Sequence, residues 1–264
     1  MSGLPRVTSR QHAFVRRCRE LAARRGETEG LVLLDGEHLL TEAVAAGVPI
    51  EGVMTDGRGA DAVRLARAAG APIYEATASV LAAASPVKQP GGVVSVARWA
   101  PAPLARALDG RVPLVVGLVD VQDPGNLGSA IRASAGLDAT GVVVLDRSAD
   151  PGGWRAMRGA MGSAFRVPVA HGASADLLVE ARRRGLRVAA TSAGAGEPID
   201  RADLRVPLLV LLGNEGAGLP GAIADQADCT LTVPTGRGVE SLNVAVTAAL
   251  VLFEARRQRA GAAP

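Results

Sequence analysis

The chain has 264 residues, 48% hydrophobic and 21% charged, with a net charge of +3, a balance that excludes disordered and fibrous classes and leaves room for two packed domains. Only 2% of residues are aromatic, so the cores must be built from Val, Leu, Ile and Ala, and widespread stacking on bases is excluded. Cys18 and Cys229 have neither metal spacing nor a disulfide framework around them; with no apolar signal segment and no apolar run long enough to cross a bilayer, a cytoplasmic protein without metal or membrane partner is expected.

Residues 9–25 read as a helix, because Phe14, Cys18, Leu21 and Ala22 fall at helical spacing. Arg6, Arg10, Arg16, Arg17, Arg19, Arg24 and Arg25 crowd this end of the chain against one acid, Glu20. Guanidinium suits phosphate because its planar fork binds two oxygens at once. A strand at 31–34, a helix at 37–46, a strand at 50–54, a helix at 61–69 and strands at 72–74 and 93–96 complete an α/β module over residues 1–99. Lys88, the chain's one lysine, opens the turn-rich stretch Lys88-Gln89-Pro90-Gly91-Gly92. Residues 100–112, with two prolines and several alanines, read as a linker.

The second module, 113–264, opens with an apolar strand at 113–119. A helix at 126–136, a strand at 141–145, a helix at 173–184 and strands at 186–190, 207–212 and 230–233 follow, then a terminal helix at 242–259. Continuous apolar strands alternating with helices indicate a parallel sheet covered on both faces. Ligands of such sheets bind beyond the carboxyl ends of the strands, which singles out three loops.

The first loop carries Asp123-Pro124-Gly125-Asn126-Leu127-Gly128 with Arg132. Asp-Pro-Gly makes a turn and Asn126 begins a helix. Gly128, Arg132 and Gly136 then share one helical face, leaving close access to a lone Arg; a structural pairing of Arg132 with a neighbouring acid fits the spacing equally. The second loop, Leu212-Gly213-Asn214-Glu215-Gly216-Ala217-Gly218-Leu219, includes a G-x-G-x-x-G match at Gly216 to Gly221. A nicotinamide site is disfavoured there, since Asn-Glu separates the strand from the first of these glycines. The third loop runs from Val233-Pro234 to Glu240-Ser241-Leu242-Asn243-Val244. Ser241 reads as the N-cap of the last helix, with Asn243 in its first turn.

Together these three loops resemble the signature motifs of the SpoU family of RNA methyltransferases, within the SPOUT superfamily. The resemblance spans residues 113–258; residues Ser9-Arg10-Gln11 and Leu34-Asp35-Gly36-Glu37 are similar to the L30e-like substrate-binding domain that many members carry. It implies an α/β fold: a parallel-sheet catalytic domain with a C-terminal trefoil knot, preceded by the smaller L30e-like domain. Ordinary topology rules disfavour knots, so no periodicity points to one. S-adenosylmethionine is implied as cofactor, held by Leu212, Gly213, Asn214, Gly218, Val233, Pro234, Ser241 and Leu242. RNA is the implied substrate, ribosomal RNA first (23S) and transfer RNA second, and a homodimer with its site near the interface is implied too. Where the family often has R-x-S-x-G, this chain has Arg158-Gly159-Ala160-Met161-Gly162, which removes that hydroxyl.

The implied reaction is an in-line methyl transfer to a ribose 2′-oxygen. Arg132 takes the central place beside the ribose, with Asn126, Glu215, Ser241 and Asn243 orienting it, the nucleotide or the cofactor. A free guanidinium, with a pKa above about 12, suits stabilisation of alkoxide charge as well as proton removal. Arg10, Arg16, Arg17 and Lys88 are the expected RNA-capturing residues, through phosphate and 2′-hydroxyl contacts. Two other readings fit the fold: a non-catalytic RNA-binding protein, and an oxidoreductase resting on the Gly216 pattern. Cofactor titration separates them.

Overall fold

The computed structural model describes residues 4–23, 29–214 and 216–261. They form two compact units, one drawn from residues 1–100 and 152–165, the other from 101–151 and 166–264.

The first unit contains β1 (Arg6–Val7), α1 (Ala13–Ala23), β2 (Leu31–Asp35), α2 (Glu37–Ala45), β3 (Ile50–Thr55), α3 (Ala60–Ala68), β4 (Ile73–Ala76), α4 (Ala78–Ala84) and β5 (Val93–Arg98). Its sheet runs β1-β4-β3-β5-β2. The first three strands are parallel, and β5 is antiparallel to both its neighbours. Successive strand residues face opposite sides, so Met54 and Val94 pack with α1 and α4, while Val53 and Val93 pack with α2 and α3. The α1 helix buries Val15, Cys18 and Leu21; Arg24, Arg25 and the rest of 24–28 lie outside the described residues. Short and alanine-rich, α4 has no amphipathic signature in the sequence; Thr77 caps it by accepting from Val80 N–H at 3.4 Å.

The second unit begins with α5 (Leu104–Ala107), β6 (Leu114–Val119), α6 (Pro124–Gly136) and β7 (Gly141–Leu145). The chain next gives α7 (Trp154–Ala160) and a 3₁₀ turn, Ser163–Phe165, to the first unit. The second unit continues with β8 (Val169–Gly172), α8 (Ser174–Arg183), β9 (Arg187–Thr191), β10 (Glu197–Pro198), β11 (Leu208–Leu212), α9 (Gly221–Ala224), β12 (Cys229–Thr232) and α10 (Val244–Ala260). The strand order is β10-β12-β9-β11-β6-β7-β8, and every pairing is parallel. The central strands β6, β7 and β11 are buried along their whole length, as expected of a sheet covered on both faces.

Local details differ from the sequence reading. Residues 100–112 contain α5, whose Ala107 is buried with Leu108 in the core of the second unit. Gly141 makes this approach possible, since a Cβ there would lie 2.0 Å from the Ala107 carbonyl oxygen. Residues 152–165 pack in the first unit: Trp154 lies against the α1–α4 core, and Trp99 Nε1 donates to the Ala164 carbonyl at 3.2 Å. Helix α10 starts at Val244, capped by Asn243 and not by Ser241. Asn243 Oδ1 accepts from Ala245 N–H at 2.9 Å and Val246 N–H at 3.4 Å, while Leu242 stays in the loop.

Candidate active site

Each of the three loops leaves the carboxyl end of a parallel strand, where the backbone must turn sharply into a helix. After β6, Asp120 adopts a left-handed φ of 54°. Its carboxylate accepts from Arg147 N–H at 3.0 Å, and Ser148 Oγ accepts from Val121 N–H at 2.9 Å. The ends of β6 and β7 are thereby tied together. Asp123 caps α6, accepting from Asn126 N–H at 2.7 Å, with Pro124 at the first helical position. Helix α6 therefore starts two residues earlier than the sequence pattern placed it.

After β11, Asn214 does the holding. Its Oδ1 accepts from Gly216 N–H at 2.9 Å and Ala217 N–H at 3.1 Å, while Nδ2 donates to the Asp120 carbonyl at 3.0 Å. One side chain so shapes the second loop and joins it to the first. Gly213 is needed here: a Cβ would sit 2.2 Å from the Gly218 carbonyl carbon. After β12, Thr235 Oγ donates to the Val239 carbonyl at 2.9 Å. Asn243 closes the loop by capping α10, and its Nδ2 donates to Asn126 Oδ1 at 2.9 Å.

The second and third loops, with the end of β9 and the start of α10, enclose a cavity of about 500 Å³. Leu212, Gly213, Asn214, Gly218, Val233, Ser241 and Leu242 line it. Pro234, the eighth residue expected to hold a cofactor, is exposed beside the cavity and absent from its wall. The sequence reading missed Thr191, Ser192 and Ala193, which close one side. Their signal was present, because they follow the end of a buried parallel strand.

The expected catalytic residues are only partly gathered. Ser241 lines the cavity, and Asn126 and Asn243 are bonded to each other. Glu215 lies outside the described residues. Arg132 sits on the exposed side of α6, outside the cavity wall, and no hydrogen bond or ion pair holds it among the described residues. Of the residues expected to capture RNA, Arg16 and Lys88 are exposed. Arg10 donates to Ser79 Oγ at 3.3 Å, and Arg17 pairs with Glu29 at 2.8 Å. Lys88 stands in a separate loop, between α4 and β5. Among the described residues no cluster of His, Cys, Asp and Glu could hold a metal ion, and no helix is long and apolar enough to cross a membrane.

Residues 113–253 match the model of the SpoU rRNA Methylase family. The chain belongs to that family. The SpoU match covers all three loops, and residues 12–95 match the MRM3-like substrate binding domain. Among SpoU-type relatives, the 23S rRNA (guanosine-2′-O)-methyltransferase RlmP of Bacillus subtilis is 30% identical over 96% of this chain and 100% of its own. The AdoMet-bound rRNA methyltransferase from Sinorhizobium meliloti superposes with a TM-score of 0.85 at 29% identity, covering 96% of this chain and 98% of that one. The SpoU methyltransferase AviRb from Streptomyces viridochromogenes, in complex with AdoMet, gives 0.84 at 28% identity over 95% and 100%.

Proposed function

We propose that this SpoU-family chain transfers a methyl group from S-adenosylmethionine to a ribose 2′-hydroxyl of RNA, ribosomal RNA before transfer RNA. The observation that carries the reading is the enclosure of one cavity by the second and third loops at the carboxyl ends of parallel strands. Its volume, about 500 Å³, lies in the range of small-molecule sites, roughly 300–1,000 Å³. The walls suit this cofactor: Ile199, Leu212, Leu231 and Val251 offer apolar surface.

Bound there, S-adenosylmethionine supplies a methyl carbon activated by the adjacent sulfonium. The protein's residues then have to orient the nucleotide and manage charge. The chemistry the cofactor would supply is displacement at that methyl carbon, with the 2′-oxygen taking the place of the sulfur, S-adenosylhomocysteine departing and the hydroxyl proton passing to water. Positioning alone supplies about 7–11 kcal/mol in well-oriented systems. Arg132 holds the ribose and its phosphate and stabilises charge developing on the 2′-oxygen. Asn243 and Asn126 fix the start of α10 against the start of α6, and with Ser241 and Glu215 they orient Arg132, the nucleotide or the cofactor.

The same reading includes a homodimer built on α6 and α10. On α10, Val246, Leu250 and Phe253 are 47%, 38% and 59% exposed, one apolar stripe at helical spacing. Helix α10 packs on α6, which carries Arg132, so a second copy over this stripe places Arg132 close to the interface. It also includes the C-terminal knot and a cytoplasmic setting, which the free thiols Cys18 and Cys229 suit.

The test is incubation of the full chain with methyl-labelled cofactor and either ribosomal or transfer RNA, followed by alkaline hydrolysis. Label in alkali-resistant dinucleotides from ribosomal RNA is the expected result, because a 2′-O-methyl group blocks cleavage. Label confined to bases, or none in either RNA, overturns the reading.

A further inference from the structure

The first unit holds a second cavity, of about 260 Å³, lined by Asp35, Gly36, His38, Leu39, Gln89, Gly91, Arg158 and Met161. It forms because α7 and the turn after it close over the start of α2. His38 Nε2 lies 3.3 Å from the Met161 carbonyl, so the ring donates from that nitrogen. A Cβ at Gly162 would press on Glu42 of α2 at 2.5 Å. Met161, in a left-handed turn with φ 49°, stays 37% exposed and offers a flexible, polarizable apolar surface.

Asp35 is the unusual member. Its side chain is only 6% exposed, and burial pushes its carboxyl up while Ser85 and Arg158 pull it down. Ser85 Oγ donates to Oδ2 at 2.6 Å. The other oxygen faces Arg158 Nη1 at 4.0 Å, beyond hydrogen-bonding distance. A carboxylate therefore faces the cavity beside a guanidinium, with a gap between them that a donor–acceptor edge would fill. The carboxylate repels phosphate, which argues for a base and against the backbone. Gln89 adds an amide able to donate or accept, and the exposed Lys88 beside it attracts the phosphate that follows the base.

We propose that this cavity receives one unpaired guanine of the substrate RNA, with Asp35 accepting from its N1–H and N2–H edge and Arg158 donating to O6. Guanine alone presents two adjacent donors next to an acceptor. Cytosine and adenine offer one donor position, and uracil flanks its single donor with acceptors. Sequence-specific RNA recognition commonly reads such splayed-out bases on these edges. The proposal rests on RNA being the substrate, and adds a base-reading site in the first unit.

The test uses the full chain with fluorescent uridine oligonucleotides carrying one central guanosine, adenosine or cytidine. The guanosine oligonucleotide should bind about tenfold tighter than the others, the discrimination of one bidentate base contact, and Asp35→Asn and Arg158→Gln should each erase the preference. In methyl transfer to ribosomal RNA both variants should raise KM for RNA about tenfold with kcat and cofactor affinity unchanged. Because Arg158 is half exposed, Arg158→Gln tests the site even where Asp35→Asn unfolds. Equal binding of all oligonucleotides, a cytidine or adenosine preference, or unchanged KM in Arg158→Gln overturns the proposal. A guanosine preference without methylation of any RNA would instead sink the methyl-transfer reading and leave this site standing.

Discussion

Asn243 Nδ2 donates to Asn126 Oδ1 across 117 positions of sequence, at 2.9 Å. The same Asn243 caps α10 through its Oδ1. The two roles use different atoms of one amide, so substitution can separate them. Aspartate is as good an N-cap as asparagine but lacks the donor and sets a negative charge against Asn126 Oδ1. Asn243→Asp should therefore keep the melting temperature near wild type and lose most methyl transfer. Asn243→Ala should cost about 1 kcal/mol of stability as well. Thermal melts alongside turnover assays check both; equal activity of Asn243→Asp and wild type would show that the inter-loop bond is idle.

Gly213→Ala forces a methyl group onto the Gly218 backbone. The second loop must open, and cofactor titration by calorimetry should show affinity reduced by at least tenfold, about 1.4 kcal/mol. Retained affinity would place the cofactor away from this loop.

Arg132 is exposed and free of hydrogen bonds and ion pairs among the described residues, so its removal should leave the fold alone. Arg132→Ala should abolish turnover while cofactor binding, measured by calorimetry, stays within about twofold. Arg132→Lys keeps the charge and loses the fork; a large drop in kcat assigns the role to guanidinium geometry, and near-normal activity assigns it to charge alone.

The α10 stripe supplies a prediction about assembly. Phe253→Glu puts a charge at the most exposed residue of the apolar stripe without touching the cavity wall. Analytical ultracentrifugation should show a dimer for the wild type and a monomer for the variant. A variant that still sediments as a dimer relocates the interface.

Arg257 and Gln258 hold the Glu254 carboxyl down at about 2, from an ordinary 4.5. A carboxyl depressed on folding stabilises the native state above its unfolded value and loses that contribution as pH falls through the folded one. Melting temperatures of wild type and Glu254→Gln should therefore differ at neutral pH and converge between pH 4.5 and about 2. A constant difference over that window would mean the carboxyl does not titrate there.

Much of the second unit was legible because its strands are unbroken apolar runs and its loops carry rare residue combinations in fixed order. The end of β9 was missed because Thr191-Ser192-Ala193 has no distinctive chemistry; position alone marks it. The α10 cap was misplaced because Ser241 and Asn243 both favour caps, and the choice depended on whether Leu242 packs in a helix or lines a cavity. The pairing of residues 152–165 with the first unit had no local sign at all. Its apolar residues, Ala156, Met157 and Ala160, would pack against either unit equally well as a pattern.

Arg259 near the end of α10 donates to the carbonyls of Leu204, Val206, Val112 and Pro113. These lie just ahead of β6 and β11, so one late guanidinium fastens the entry points of two central strands. During synthesis both strands emerge long before this fastener exists. The entry points of β6 and β11 therefore gain these four bonds only when α10 docks.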